Sequence, residues 1–241
     1  MNPGLLREIA DRLGVDFSRP ALLEQALTHR SYANEAPLVD AVEHNERLEL
    51  LGDAVLSLIV TDMLMRTYPQ ASEGLLSRMR AALVCGEALA VHARALELGE
   101  ALQLGRGESQ SGGKRKASLL ADAFEAVLGA IYLDGGLAEA RRLAEQRLAD
   151  EVAAVADRLA ATDPKSRLQE ELQARGMEPP DYALIATSGP DHQLCFEVEV
   201  RQADRAIGRG RGSSKKLAEQ GAAADALDRL DGGEGGSRET P

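Results

Sequence analysis

Three carboxylates interrupt an apolar stretch early in the chain, NERLELLGDAVLSLIV at residues 45–60. If this stretch is a helix with about 100° between successive residues, Glu46, Glu49 and Asp53 lie within about 60° of one another on one face. Apolar residues on both sides of that face predict a helix that is buried in a bundle. Buried carboxylates without a partner cost several kcal/mol each, so this spacing indicates that they have one.

A second apolar stretch, SLLADAFEAVLGAIYL at residues 118–133, repeats the pattern with Asp122 and Glu125, which share a helix face at i and i+3. Protonation, an ion pair or a bound cation would each compensate these charges. The first helix offers only Arg47, which points about 100° away from Glu46, and the second stretch contains no base. A bound cation is therefore the favoured compensation.

Oxygen ligands alone select a hard ion, so the carboxylates predict Mg²⁺, with Mn²⁺ as a substitute. A di-iron site would need a Glu-x-x-His pair on facing helices, and His44 stands at the wrong spacing from Glu46. His29, His44 and His92 are interpreted as capping or packing residues. The alternative that Glu46 and Glu49 are merely solvated on an exposed face stays open at this point.

Composition favours a reducing compartment and gives no sign of a membrane. No run approaches the roughly 18 apolar residues that a membrane span requires, and the charged start MNPGLLREIADRLG is unlike a signal peptide. Cys85 and Cys195 lie far apart in apolar contexts, which predicts buried free thiols and a cytoplasmic location. The formal net charge of −11 speaks against a nucleic-acid partner unless basic residues are concentrated locally.

The periodicity of apolar residues changes along the chain and predicts two domains. Residues 1–155 show helical spacing throughout, with GRGESQSGGKRK at 105–116 as a mobile polar loop. Strand-like alternation, clearest in LCFEVEVR, then lies between two helical segments. We expect a mainly α protein: a helical domain at 1–155, a linker at 156–162, a small α-β-β-β-α domain at 163–231 and a disordered tail at 232–241.

The motif NERLELLGDAVL strongly resembles the signature of the ribonuclease III family of double-stranded-RNA endonucleases. Three further stretches match that family in the same order: QALTHRSYANE, EGLLSRMRAALV and LLADAFEAVLGAIYLDGG. The segment from PKSRLQEELQARG to GRGRGSSKKLAEQGAA resembles a double-stranded-RNA-binding domain. The resemblance covers nearly the whole chain, and the order of the two modules is that of bacterial members.

This resemblance implies a role for each acidic position. Glu49, Asp122 and Glu125 match metal ligands, while Asp53 and Glu125 match the essential catalytic positions. Glu46 matches a supporting acidic position that acts through water on the metal. Glu73 either matches a further acidic position or caps the start of its helix.

The family also implies the reaction and the assembly. Carboxylate-bound Mg²⁺ would hydrolyse phosphodiester bonds in double-stranded RNA and leave 5′-phosphate and 3′-hydroxyl ends, in ribosomal and other structured RNA precursors. A homodimer would place one site on each strand. Leu50 replaces the usual Phe at a packing position, which keeps the apolar character but loses area, so the strength of the dimer stays open. Two alternatives remain: a regulator that binds double-stranded RNA with little or no cleavage, and a bundle that holds a purely structural metal.

The second domain carries groups suited to A-form RNA, which is recognised through its shape, 2′-hydroxyls and phosphates. Its first helix shows a polar stripe, and a loop and a helix start add further candidates. The predicted contacts are Ser166, Gln169, Glu170 and Gln173 on the stripe, His192 in the GPDHQ loop, and Lys215 and Lys216 after a Ser213 or Ser214 N-cap. An ordinary exposed helix face is the alternative for the stripe.

A basic segment at residues 205–216 stands out in this acidic chain, because it contains five bases and no acid. It is either a solvated face or a phosphate-binding surface. The motif GRGRGSSKK also looks like a nucleotide-binding loop, but Lys215 does not follow the glycine directly, so we reject that interpretation.

Overall fold

The computed structural model describes residues 2–35, 42–162, 164–190 and 194–232. The chain divides after Val155 into two compact units. The predicted fold class is confirmed, with a helical first unit and a three-stranded antiparallel sheet flanked by helices in the second. None of the described helices is both long and apolar enough to span a membrane.

The first unit is built from short helices around two long ones. Its elements are α1 (Pro3–Leu13), α2 (Pro20–Ala26), α3 (Arg30–Glu35), α4 (Glu46–Thr67), α5 (Glu73–Leu83), α6 (Gly86–Ala95), α7 (Leu98–Ala101), α8 (Arg106–Gln110), a 3₁₀ turn (Gly113–Arg115) and the part of α9 (Ala117–Thr162) up to Val155. Helix α9 bends at Gly136, whose φ of 80° lies in the left-handed region that glycine tolerates. Residues 156–162, predicted as a linker, continue this helix.

The core of the first unit consists mainly of Leu, Ala, Val and Ile from α4 and α9. Leu56, Ile59 and Leu64 of α4 are fully buried, as are Phe124 and Leu128 of α9. Such a core is stabilised by the transfer of aliphatic surface from water, at about 25 cal/mol per Å².

Helices α4 and α9 approach each other most closely where two glycines meet. A Cβ atom added to Gly52 would overlap the carbonyl oxygen of Glu125, and one added to Gly129 would overlap the carbonyl oxygen of Leu48. The two backbones are therefore in direct contact, with no side chain between them. This contact fixes the relative position of the carboxylates that flank it on both helices.

Two expectations about the first unit are wrong. Helix α4 is not buried all round, because Leu50, Leu58 and Met65 are 75%, 55% and 58% exposed. Cys85 is exposed rather than buried, although both cysteines are free thiols. An apolar residue pattern shows which side chains a helix could bury, but it does not show which of them the rest of the protein covers.

The polar segment at 105–116, predicted as a loop, forms α8 and the 3₁₀ turn. Two hydrogen bonds connect its start to α3, since Ser31 Oγ accepts from the Gly105 N–H at 2.9 Å and Glu35 Oε1 accepts from the Arg106 N–H at 2.8 Å. Gly113 is buried against Glu108. These tertiary contacts override the weak helix propensity of a glycine-rich sequence.

The second unit comprises α10 (Pro164–Ala174), β1 (Asp181–Ser188), β2 (Cys195–Gln202), β3 (Arg205–Gly212) and α11 (Lys215–Gly232). The strands are antiparallel in the order β1-β2-β3. One core cluster joins both helices to the sheet: Leu168, Leu172, Val198, Val200, Ala218, Ala222, Ala223, Ala226 and Leu227.

The glycines of the GRGRG motif, residues 208–212, allow β3 to pack closely against α11. A Cβ atom at Gly210 would overlap the backbone nitrogen of Ala222, and one at Gly212 would come within 2.7 Å of the Ala218 nitrogen. Glycine on the strand and alanine on the helix therefore allow the two backbones to approach, which accounts for the motif without a nucleotide.

We predict that Gly52→Ala destabilises the protein by about 1–3 kcal/mol, because the added methyl group must push α4 away from α9. Urea unfolding followed by circular dichroism measures the change. Gly107→Ala is the matched control, since a Cβ atom there meets nothing within 4 Å, and its stability should stay the same or rise. Equal stability of the Gly52→Ala and wild-type proteins would contradict the contact.

Candidate active site

Three carboxylates from the two long helices converge beside the glycine contact. Glu49 of α4 and Asp122 and Glu125 of α9 each place an oxygen within 4.8 Å of the others, and all three are half-buried. Asp53 lies one turn after Glu49 and is exposed, as is Glu46 at the start of α4. The three half-buried residues form a donor set of the kind that hard divalent cations take.

Glu49 and Asp122 of this cluster line a cleft of about 310 Å³, to which four segments of the chain contribute. Sequence reasoning found only three of the lining residues, Glu46, Glu49 and Asp122. The lining also includes His29, Arg30, Asn45, Glu108, Lys116 and Leu119. Glu108 in particular stands 14 residues before Asp122 in the polar segment, so no helical spacing connects it to the cluster.

The expectation that Glu46 has no basic partner is wrong. Arg30 Nη1 lies 3.1 Å from Glu46 Oε1, and His44 Nδ1 lies 3.8 Å from Glu46 Oε2. The guanidinium comes from α3, so only tertiary structure brings it to α4. Glu46 is thus compensated by an exposed ion pair. The half-buried carboxylates Glu49, Asp122 and Glu125 instead lie close to one another.

Burial and mutual repulsion shift the acidity of this cluster. Burial, together with the charges of Asp53, Glu49 and Asp122, raises the pKa of Glu125 to about 7. The pKa values of Glu49 and Asp122 are also raised, in each case chiefly by burial. A cation placed between these groups would remove the repulsion and lower all three pKa values.

The histidines have local structural roles. His29 Nδ1 lies 2.8 Å from Ser31 Oγ and accepts from the Ser31 N–H at 3.2 Å, at the start of α3. His92 is buried, with its ring 5.9 Å from that of Phe124. These contacts agree with capping and packing.

Glu73 is not the cap of its helix. Ser72 has that role, since its hydroxyl accepts from the Leu75 N–H at 3.3 Å. Glu73 instead accepts from the Ser77 hydroxyl at 2.7 Å.

The second unit presents a polar helix face and a basic helix start. Gln169 and Gln173 of α10 are exposed, and Ser166 is half-buried. At α11 the N-cap is Ser214, whose hydroxyl accepts from the Leu217 N–H at 3.3 Å, and Lys215 and Lys216 follow it in full exposure. His192 lies outside the described residues.

The basic segment at 205–216 is less positive than its sequence suggests. Arg209 pairs with Glu199 at 2.7 Å and Arg211 pairs with Glu197 at 2.9 Å across the β2–β3 ladder. The alternation of strand residues places these pairs on one face of the sheet. Glu199 also pairs with Arg201 at 2.8 Å. Within the described residues, Arg205 at the start of β3 and Lys215 and Lys216 at the start of α11 form no ion pair.

Two family models match the chain, and together they define its class. Residues 19–152 match a model described as ribonuclease-III-like, and residues 164–230 match one described as a double-stranded RNA binding motif. The chain is thus an endoribonuclease domain followed by an RNA-binding domain. Ribonuclease 3 of Geobacter metallireducens is 46% identical over 223 residues, which cover 92% of this chain and 91% of the relative.

Ribonuclease 3 of Nitrosococcus oceani is 48% identical over 232 residues, which cover 94% of this chain and 95% of the relative. The chain belongs to the ribonuclease III family of double-stranded-RNA endoribonucleases. A crystal structure of the nuclease domain of ribonuclease III from Campylobacter jejuni superimposes with a TM-score of 0.54 at 39% identity, covering 61% of this chain and 96% of that one. A second structure of that domain shows flexibility in a region involved in its dimer formation.

The raised pKa of Glu125 predicts that the metal-free protein becomes less stable as the pH rises. The folded protein keeps this proton up to about pH 7, whereas the unfolded chain releases it near 4.5. The stabilising contribution is therefore complete below about pH 4.5 and is lost as the pH rises through about 7.

Urea unfolding in EDTA, from about pH 5 to about pH 8, tests this expectation. The free energy of unfolding should fall more steeply in the wild type than in Glu125→Gln, which lacks the titrating group. The comparison between the two proteins cancels the contributions of groups that do not interact with Glu125, including His29, whose pKa burial lowers. Identical slopes would show that Glu125 is not protonated in the folded state.

Proposed function

We propose that Glu49, Asp122 and Glu125 hold Mg²⁺, which Mn²⁺ can replace, and that the protein uses it to hydrolyse double-stranded RNA. The observation that carries this proposal is the convergence of three half-buried carboxylates from two helices. Glu49 and Asp122 also line an open cleft. The catalytic domain would comprise residues 1–155 and the RNA-binding domain residues 163–231, with 156–162 as the linker. The predicted tail, beyond residue 232, lies outside the described residues.

The bound cation would lower the pKa of a water molecule and neutralise charge on the phosphate. Asp53 and Glu125 are the proposed catalytic residues. Asp53 lies one turn after Glu49 and is exposed, and its carboxylate would accept a proton from the attacking water. The water oxygen bonds to phosphorus, the bond from phosphorus to the 3′ oxygen breaks, and that oxygen takes up a proton. The products carry 5′-phosphate and 3′-hydroxyl ends.

Glu125 is half-buried, whereas Asp53 is exposed. This difference suits the proposed role of Glu125 as a metal ligand. Its raised pKa means that cation binding must displace a proton near neutral pH. Glu46 is the proposed supporting carboxylate, because it lines the same cleft and is exposed to water at its mouth.

We also propose a homodimer formed by the exposed apolar face of α4. Leu50, Leu58 and Met65 follow one another along this face, and a hollow of about 640 Å³ lies beside Leu50 and Leu133. A twofold interface uses the same patch on both protomers, which suits a duplex substrate with twofold backbone symmetry. Each protomer would then cut one strand and leave short 3′ overhangs.

The proposed RNA contacts combine the polar stripe of α10 with the start of α11. Ser166, Gln169 and Gln173 would bind 2′-hydroxyls and base edges in a minor groove. Lys215 and Lys216, with the backbone N–H groups at the start of α11, would bind phosphates. His192 remains a proposed contact from the sequence alone. The proposed substrates are ribosomal and other structured RNA precursors in the cytoplasm.

Glu125→Gln should bind duplex RNA as the wild type does and cleave it at least about a hundredfold more slowly, because one ligand and catalytic group is lost. Labelled duplex RNA measures binding and cleavage in the same samples, with and without Mg²⁺. Glu87→Gln, an exposed change on α6, serves as the control. Wild-type turnover in Glu125→Gln would overturn the assignment, and a wild-type protein that binds without cutting would favour a regulatory binding protein.

Leu50→Glu should shift the protein toward the monomer, since it places a charge in the proposed apolar interface, while Leu50→Phe should strengthen the dimer by adding apolar area. Sedimentation velocity across a range of concentrations measures both effects. Met177→Glu, a charge on an exposed apolar residue of the second unit, is the control. If Leu50→Glu and Met177→Glu sediment alike as dimers, another surface forms the interface.

Lys215→Gln with Lys216→Gln should weaken RNA binding at every duplex sequence and flatten its salt dependence. Each lost phosphate contact should reduce the slope of log affinity against log salt by about 0.9. Filter binding at several salt concentrations gives this slope. An unchanged slope in the double variant would exclude a phosphate role for both lysines.

A further inference from the structure

Two basic residues flank the carboxylate cluster in the same cleft. Arg30 begins α3 and Lys116 immediately precedes α9, and both line the cavity that contains Glu49 and Asp122. Neither belongs to the catalytic set proposed above. Both side chains extend into solvent, with 65% and 57% of their surfaces exposed.

Each of these cations has a carboxylate partner within the cleft. Arg30 Nη1 lies 3.1 Å from Glu46 Oε1, and Lys116 Nζ lies 3.3 Å from Glu108 Oε1. Exposed ion pairs of this kind contribute only about 0–1 kcal/mol, so an incoming anion can replace the carboxylate at little cost. A phosphate oxygen would form charge-assisted hydrogen bonds with either cation.

The negative charge of the cleft explains why basic side chains at its lining would help RNA to enter. Glu46, Glu49, Glu108 and Asp122 all line it, and every RNA phosphate that enters adds a negative charge. A cation within the cluster compensates the carboxylates nearest to it, but the neighbouring phosphates of a continuous strand lie farther away. The cations already present at the mouth of the cleft can meet those phosphates.

We propose that Arg30 and Lys116 are phosphate-binding residues of the catalytic domain, which exchange Glu46 and Glu108 for backbone phosphates when duplex RNA enters the cleft. This inference rests on the proposed function of the same cleft. Contacts of Arg30 and Lys116 with phosphates do not depend on base sequence. They would position the RNA strand relative to the carboxylate cluster. The second unit would provide most of the affinity for RNA, and Arg30 and Lys116 would hold the strand in the cleft.

The chain provides a closely matched control for Lys116. Lys114, two residues earlier, also pairs with a carboxylate, since its Nζ lies 3.6 Å from Glu100 Oε2. Arg12 is the corresponding control for Arg30, with Nη2 3.0 Å from Glu97 Oε2. The cleft lining, within the part of the chain that the structure describes, includes neither Lys114 nor Arg12.

Lys116→Gln and Arg30→Gln should each raise KM for duplex RNA on the order of tenfold at about 0.1 M salt, with a smaller effect on kcat. The slope of log(kcat/KM) against log salt should fall by about 0.9 for each variant. Lys114→Gln and Arg12→Gln should leave both quantities within about twofold of the wild type. If the cleft variants behave like these controls while the wild type cleaves, the inference is wrong and the proposed function stands.

A double variant separates a phosphate contact from simple masking of Glu108. If Lys116 binds phosphate, Lys116→Gln with Glu108→Gln should show a KM on the order of tenfold above that of Glu108→Gln alone. If Lys116 only neutralises Glu108, the double variant and Glu108→Gln should have the same KM, which would overturn the inference. A wild-type protein that fails to cleave in Mg²⁺ would instead contradict the proposed function.

Discussion

The contact between Gly52 and Gly129 is the constraint on which the rest of the catalytic unit depends. Any side chain at Gly52 would overlap the carbonyl oxygen of Glu125, and any at Gly129 would overlap that of Leu48. Because the backbones touch, Glu49 on one helix and Asp122 and Glu125 on the other place carboxylate oxygens within 4.8 Å of one another. Helices packed through larger side chains lie about 8–10 Å apart at their axes, which would separate these carboxylates.

Such proximity is unfavourable because the carboxylates repel one another, and this repulsion would favour the binding of a cation. Burial and like charges raise the pKa of Glu125 to about 7, so the metal-free site stores repulsion that a cation relieves. The glycine contact and the surrounding aliphatic core hold the three carboxylates together, as the proposed cation site requires. Preorganisation of this kind reduces the reorganisation required when charge develops on a phosphate.

Helical periodicity was sufficient to predict the carboxylate faces. Glu49 with Asp53, and Asp122 with Glu125, share faces because residues three or four apart always do. The alternation in LCFEVEVR similarly predicted β2, and the serine before two lysines predicted the N-cap of α11, which is Ser214. These features depend on local spacing, which a sequence contains in full.

Features that depend on tertiary contacts could not be predicted in this way. Arg30 meets Glu46 only because α3 lies against the start of α4, and Glu108 joins the cleft only because Ser31 and Glu35 hold its segment. The neutralisation of Arg209 and Arg211 by Glu199 and Glu197 depends on the register of β2 and β3. The exposure of Leu50 depends on what covers α4, which no periodicity shows.

Direct titration with Mn²⁺, followed by electron paramagnetic resonance in the absence of RNA, tests the central claim most directly. The account predicts saturable Mn²⁺ binding to the wild type, and an affinity that falls on the order of tenfold or more in Glu49→Gln, because a ligand contributes at least as much as the outer groups that orient it. Glu87→Gln should bind as the wild type does. Equal Mn²⁺ affinity in Glu49→Gln and the wild type would show that the carboxylates at the helix crossing do not hold the metal.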